Sequence, residues 1–542
     1  MLESIKKWLL KTYLGKYRLP RDMVRDAFQR YPDRAALFTG RGRLTFADLE
    51  KRVYSLVQGL EARGINKGDR VFTLLPDGWE QIEVRLACFE SGFILTPFHS
   101  AHPRSAIMKA AQLARPAALI VDPEIGQKAA RDLAQKNPEM TVISSGEEGE
   151  YESMLETHRP LPSNHTIHPQ DAASLGFTSG TTGKPKALFT THEVIVTSLK
   201  LTATNVSVTP GQRDTFVLGI PLVGAGSGVV LPMLFSGSTL VIPPAYTARQ
   251  VMAAIIEHRA TRTFLTPSLL IDFLDMPEAD LSSLRNVIYG TAPMPVPKLE
   301  EAIRRWGPIF QQGYGMAEVL PPVSLLQMDD HGTQDDPAPR PVLRSVGKIV
   351  PEVKVKIVDS RGEKVEPGEK GEILIDSPTT FNGYWKAPDL NQRVLRDGWY
   401  HTRDIGSIHP QGWLHVLGRR ADIIHQNGEE IFPLQVEEIA HDHPAVKEAC
   451  LVGDSKNQTM ILAVSLRQNH RGDDPRNVAE DIMRWMAKNL PEANQPDQVA
   501  IFNELPRSYL VKVLHREVRE RILDPEMDNK ERTYERLLTT TP

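Results

Sequence analysis

Short apolar runs alternating with helical patterns fill residues 25–160 of this 542-residue chain and leave few folds open to it. Residues 44–60 read as a helix, 71–75 as a strand after the Gly68-Asp69-Arg70 turn, and 79–90 as a second helix. Residues 92–97, 117–121 and 141–143 read as further strands. Strands separated by helices pair in parallel, because each crossover returns the chain to the same end of the sheet. The pattern resumes with strands at 215–221, 237–242 and 263–267 and a helix at 248–257, which requires a second sheet. From Gly347 the spacing turns all-β. Val353, Val355 and Ile357 alternate with lysines, 371–375 returns, and 397–406 leads into 412–419, as in a small antiparallel barrel.

After residues 417–422 the composition shifts to a compact α+β pattern. A hairpin is expected at 423–431 around Asn427-Gly428, then a helix from Pro433 and a strand at 446–452. Asp474-Pro475 opens a last helix whose face is Val478, Ile482, Trp485 and Met486. So long a chain exceeds one core. The expected fold class is α/β, with a large N-terminal domain of two parallel-type sheets packed with helices plus a small β-barrel, and a small α+β C-terminal domain. The expected boundaries are 1–20 for an N-terminal amphipathic helix, 21–419 for the large domain and 420–542 for the small one.

A net charge of −4 gives no basic field for nucleic acid. The two cysteines, Cys88 and Cys450, build neither a disulfide framework nor a zinc pattern by spacing, and fit a reducing, cytoplasmic setting. The charge-free run 215–248 is broken by Pro221, Pro232, Pro243 and Pro244 and reads as core rather than a membrane span. Residues 1–14 carry charges that exclude a secretory leader. They read as an amphipathic helix with Leu2, Ile5, Leu9 and Tyr13 on one face. That face packs on the protein's own body or makes a peripheral membrane contact.

The densest chemistry lies in Thr178-Ser179-Gly180-Thr181-Thr182-Gly183-Lys184-Pro185-Lys186. Glycine exposes backbone N–H groups, hydroxyls donate and lysine neutralises, which suits a polyphosphate. It is not a P-loop, because Pro185 follows Gly183-Lys184. The strand before Gly290, Thr291 and Ala292 ends in a glycine turn that can lie against a flat base. In Tyr314-Gly315-Met316-Ala317-Glu318 an aromatic stands between glycines, and Glu318 offers a carboxylate to Mg²⁺. Asp404 sits in a tight glycine turn. The small-residue run 224–228, with Gly224, Gly226 and Gly228, leaves space for an apolar chain.

These blocks resemble the acyl-adenylate-forming superfamily of acyl-CoA synthetases, luciferases and peptide-synthetase adenylation domains. The resemblance covers roughly residues 25–520 and includes Trp399-Tyr400 with Asp404 and Gly406, and Leu505-Pro506-Arg507 with Lys512. It implies a mobile C-terminal domain, and ATP, Mg²⁺ and CoA as reaction components. Residues 178–186 would hold the β- and γ-phosphates and Glu318 the magnesium. Gly290, Thr291, Ala292 and Tyr314 would flank adenine, Gly315 would belong to the same nucleotide site, and Asp404 and Arg419 would hold ribose. Lys512 would bridge the carboxylate and α-phosphate, and Ala421 would be the hinge. The chain departs from the family pattern at Ala187, Ala317, Ala421 and Val511, where Gly, Thr, Asp or Lys, and Gly are usual. No aromatic or His follows Pro221-Leu222.

The implied activity is activation of a fatty or other apolar acid, then transfer to CoA. Alternatives are transfer to an acyl carrier protein or another acceptor, and a non-catalytic nucleotide-binding relative.

Overall fold

The computed structural model describes residues 2–146, 149–178, 186–206, 208–426, 428–454, 457–523 and 536–538. Two sheets form the large domain. In the first, strands run in the order Lys348–Ile349, Ser324–Leu326, Phe310–Tyr314, Asn286–Gly290, Arg262–Leu265, Thr215–Leu218, Thr239–Val241, Ala35–Thr39 and Gly42–Thr45. In the second the order is Thr141–Ser144, Ala118–Val121, Arg70–Leu74, Ile94–Phe98, Ala172–Thr178 and Lys186–Thr191. Both have the parallel interior that the strand–helix spacing requires, and both carry antiparallel strands at their edges. Three of these edge pairs return without an intervening helix, so helix spacing could not announce them; between Ser324–Leu326 and Lys348–Ile349 lies only the short helix Arg340–Leu343 after a 3-10 turn.

Burial explains the interior strands. Ala118–Val121 is buried at every position, and helix Trp79–Ser91 is buried almost all round. Helix Phe46–Glu61 starts at Thr45, whose side chain accepts from the Asp48 N–H while the Asp48 carboxylate accepts from the Thr45 N–H. The all-β segment forms an antiparallel sheet of Lys354–Val358, Gly371–Asp376, Leu395–Arg396, Trp399–Ile408 and Leu414–Arg419.

The small domain pairs Val446–Asp454, Thr459–Leu466, Gln498–Phe502 and Arg536–Leu538. Helices Pro433–His441 and Pro475–Asn489 accompany them, the second opened by the Asp474 side chain accepting from Arg476 N–H. Val478, Ile482 and Met486 are buried, as the periodicity requires. The hairpin partners Ile424–Gln426 and Glu429–Ile431 are present, with Gly428 at φ 83°. Asn427 lies outside the described residues.

Helix Leu2–Leu14 packs through Leu10, Tyr13 and Leu14, while Trp8 and Leu9 are exposed. The inward face is therefore turned from the expected one that included Leu9. The cause is polar docking. Lys7 Nζ donates to Asn205 Oδ1 at 2.8 Å and Lys11 pairs with Glu352, so the lysines anchor the helix inward. Among the described residues no helix is long and apolar enough to cross a membrane.

Candidate functional site

Thr178 ends one strand and Lys186 opens its antiparallel partner, and the two residues face each other in register. The strands that flank the loop expected to hold phosphates are thus an antiparallel pair at the sheet's edge. Ser179, Gly180, Thr181, Thr182, Gly183, Lys184 and Pro185 lie outside the described residues. Lys186 Nζ sits 5.5 Å from the centre of the Tyr384 ring, and Tyr384 OH donates to Glu318 Oε1 at 2.9 Å. Tyr384 therefore joins the hairpin to the Glu318 carboxylate. Local sequence gave no sign of it, because it lies 66 residues from Glu318.

Strands Asn286–Gly290 and Phe310–Tyr314 run in parallel with Gly290 beside Gly313. A Cβ on Gly290 would lie 2.6 Å from Gly313 O. The neighbouring strand alone already requires glycine there. Thr291 follows at φ 73°, a left-handed backbone unusual for a β-branched residue, and its buried hydroxyl has no protein partner. Tyr314 OH donates to Asp404 Oδ2 at 2.7 Å, and Arg419 Nε lies 3.5 Å from Asp404 Oδ1. Asp404 and Arg419 are cross-strand neighbours, which fixes this pairing. Burial raises the Asp404 pKa, opposed by the Tyr314 hydrogen bond and Arg419.

Segment Leu222–Gly226 forms a wide turn before helix Ser227–Phe235, and Leu222 N–H donates to Asp77 Oδ2 at 3.0 Å. The three glycines of the expected pocket wall differ. Gly226 needs to be glycine because a Cβ would lie 2.4 Å from Pro221 O, a close backbone approach. A Cβ on Gly228 would meet nothing within 4 Å. Gly224 has φ 104°, and its Cβ position lies 3.6 Å from Leu510 Cδ2.

That last contact brings the C-terminal loop to the wall. Tyr509 stacks on His99 with ring centres 4.7 Å apart and lies 5.0 Å from His102. Ser508 N–H donates to Lys512 O at 2.8 Å, and Leu514 N–H to Pro506 O at 2.9 Å. Lys512 follows within this closed loop. Burial, reinforced by the Arg419 charge, lowers its pKa to about 8. The loop therefore brings Lys512, Gly224 and the Asp404–Arg419 pair together. Ala421 is exposed in the turn that leaves strand Leu414–Arg419. Residues 24–385 match the model of the AMP-binding enzyme family, and 435–510 that of the AMP-binding enzyme C-terminal domain.

The chain belongs to the AMP-binding enzyme family. A medium/long-chain-fatty-acid–CoA ligase of Mycobacterium tuberculosis is 30% identical over 523 residues, covering 91% of this chain and 88% of that protein. A feruloyl-CoA synthase of Amycolatopsis sp. is 29% identical over 498 residues, covering 90% and 96%. The structure of the amide bond synthetase McbA from Marinactinospora thermotolerans superposes with a TM-score of 0.78 at 27% identity, covering 92% of this chain and 99% of that one. This AMP-binding enzyme is an AMP-forming acid–thiol ligase of the acyl-CoA synthetase type.

Val511 is the departure with a visible cost in this AMP-binding enzyme. It sits at φ 54°, in the left-handed region that glycine adopts without strain. A β-branched residue there costs about 1–3 kcal/mol. Val511→Gly relieves that strain but adds about 0.5–1 kcal/mol of backbone entropy to be lost on folding. The variant is expected to unfold at a higher temperature than the parent, as scanning calorimetry would show. A lower midpoint would contradict the strain argument.

Proposed function

We propose that this ligase activates a chain-like, largely apolar carboxylic acid with ATP, and passes the acyl group to CoA. The large domain would span 21–419 and the small one 420–542, with Ala421 as hinge. A carboxylate oxygen attacks the α-phosphorus of ATP. The new O–P bond makes the acyl-adenylate, and the bond to the β-phosphate breaks to release pyrophosphate. The CoA thiol then loses its proton and attacks the acyl carbon, forming the C–S bond and releasing AMP.

The observation that carries this reading is the seating of the 506–514 loop. Leu510 rests at Gly224, and Lys512 lies close enough to Arg419 for the Arg419 charge to lower its pKa. Such a cation would lie between an acyl passage at Gly228, where a Cβ would meet nothing within 4 Å, and the Asp404–Arg419 pair that would take ribose. Two anions must meet there, so positioning and charge neutralisation are the main catalytic needs. The Thr291 hydroxyl, which has no protein partner, would meet the base, and Lys186 the outer phosphates. Glu318 suits Mg²⁺ because its Oε1 is oriented by Tyr384 and a hard cation prefers carboxylate oxygen. When bound, Mg²⁺ would neutralise phosphate charge there.

A test is acid-dependent pyrophosphate release over acids of graded chain length, with and without CoA. Release that rises with apolar chain length, with acyl-CoA formed, is the expected result. The amide bond synthetase likeness, together with the missing side chain at Gly224, supports a second reading in which another acceptor takes the acyl group. Pyrophosphate release without CoA consumption would favour it. No release with any acid would overturn both.

The free Lys512 cation also sets a pH limb. With a pKa of about 8, it loses its charge as the pH rises through that value. The kcat/KM for pyrophosphate release, which reports the free enzyme, is expected to fall tenfold per pH unit above about 8. The same depressed pKa lowers stability at neutral pH, where Lys512 is charged in both states. That penalty diminishes between pH 8 and the ordinary lysine value of 10.5, where the unfolded chain alone keeps the proton.

A further inference from the structure

The small domain holds a second group of chemistry-bearing side chains, apart from Lys512 and the hairpin. Glu437 lies on helix Pro433–His441, Cys450 on strand Val446–Asp454, and His515 opens helix His515–Leu523. One ligand atom from each falls within 4.8 Å of the other two, the one such group among the described residues. Three separate elements, with Glu437 and His515 78 residues apart, converge on this point.

Two of the three are buried, His515 is half-buried, and the cluster is already oriented. Glu437 is 6% exposed and Cys450 0%. Glu437 Oε1 accepts from Leu451 N–H at 2.7 Å and from His515 Nε2 at 2.8 Å. Cys450 belongs to an apolar cluster with Val452, Ile461, Phe502 and Val518. Burial pulls the His515 pKa down, but Glu437 and Cys450 more than offset it. The thiol is therefore not paired with a free base, and burial pushes it up to about 11. A Cys-His-Glu nucleophile is disfavoured on both counts.

The same donor set fits a cation. One sulfur, one imidazole nitrogen and one carboxylate oxygen are ligands of borderline divalent ions such as Zn²⁺, whereas Mg²⁺ and Ca²⁺ prefer oxygen alone. Three protein ligands leave a fourth position open. Binding would displace the thiol proton and one imidazolium proton. The thiolate and Glu437 carboxylate then balance the two positive charges, so the buried site is neutral before and after.

We propose that Glu437, Cys450 and His515 form a binding site for a borderline divalent cation of the zinc class, which pins the foot of the Lys512 loop. His515 follows Lys512 by three residues, and the Leu514 N–H bond to Pro506 O closes the loop just before it. A cation held by His515 ties that foot to the sheet through Cys450 and to the helix through Glu437.

The test uses the full-length protein stripped of metal and titrated with Co²⁺ as a spectroscopic probe. One equivalent is expected to produce thiolate-to-cobalt charge-transfer absorption with intense tetrahedral d–d bands. Zn²⁺ should displace it and Mg²⁺ should not. Cys450→Ser should abolish the charge-transfer band, and Glu437→Gln should weaken Co²⁺ binding by about 10- to 100-fold or more. Saturating Zn²⁺ should raise the thermal unfolding midpoint of the parent but not of Cys450→Ser. Circular dichroism checks that both variants fold. Absence of the band in the unmodified protein would overturn the proposal without any variant. Persistence of the band in Cys450→Ser would also overturn it, by assigning the thiolate to Cys88.

Discussion

Lys512→Ala is expected to reduce acid-dependent pyrophosphate release by about 10²- to 10³-fold, the scale of losing one preorganised group that stabilises developing negative charge. The Nζ has no carboxylate or carbonyl partner among the described residues, and its pKa is lowered rather than raised. A cation held that way is costly for the fold and is free to meet an incoming anion. ATP binding should remain measurable, because the Asp404–Arg419 pair and the hairpin around Lys186 are untouched. The second step offers the discriminating readout. Rotation about Ala421 would carry Lys512 away, so transfer from supplied acyl-adenylate to CoA should change far less than pyrophosphate release. Equal losses in both steps would point to a damaged domain, and near-normal pyrophosphate release would remove Lys512 from the reaction.

Much of this architecture was legible in the sequence because its signals are local. Helix Phe46–Glu61 announces itself through Thr45 and Asp48, and the hairpin at 424–431 through a glycine turn. The ordered blocks that placed Glu318, Asp404 and Lys512 are local too. What could not be read depends on distant pairing. Tyr384 joins Lys186 to Glu318, and Tyr509 finds His99 and His102 across some four hundred residues. The glycines show the same limit. The run 224–228 reads as uniformly permissive, yet Gly226 answers to Pro221 O and Gly224 to its own left-handed backbone. A glycine read from sequence says that a side chain is excluded, and the neighbour that excludes it appears with the fold.

Another long-range pairing leads to the other large effect. Asp272, on helix Pro267–Leu274 of the large domain, accepts from Arg507 Nη1 at 2.7 Å and Nη2 at 3.1 Å, and from Lys447 Nζ at 2.7 Å. Arg507 stands in the same loop as Lys512, so this carboxylate ties that loop to the large domain, alongside the Arg340–Asp442, Arg344–Glu438 and Glu301–Arg467 pairs. Burial alone would raise the Asp272 pKa, but the two cations hold it below the ordinary carboxylate range. The stabilisation is thus complete above that range and is lost as the pH falls through the depressed value. Asp272→Asn keeps the shape and removes the charge. Lys447, 7% exposed, then stands uncompensated, and breaking a buried pair in this way costs about 3–5 kcal/mol if the cations stay buried. The rotation proposed about Ala421 would relieve that cost by returning Lys447 to water, so the expected consequence is a population shift. Pyrophosphate release should slow by about 5- to 150-fold, the usual span of a coupling between two states. Transfer from supplied acyl-adenylate to CoA should be unchanged or faster. Single-turnover measurements of the two steps would separate these outcomes, and an unaltered first step would show that Asp272 does not set the balance.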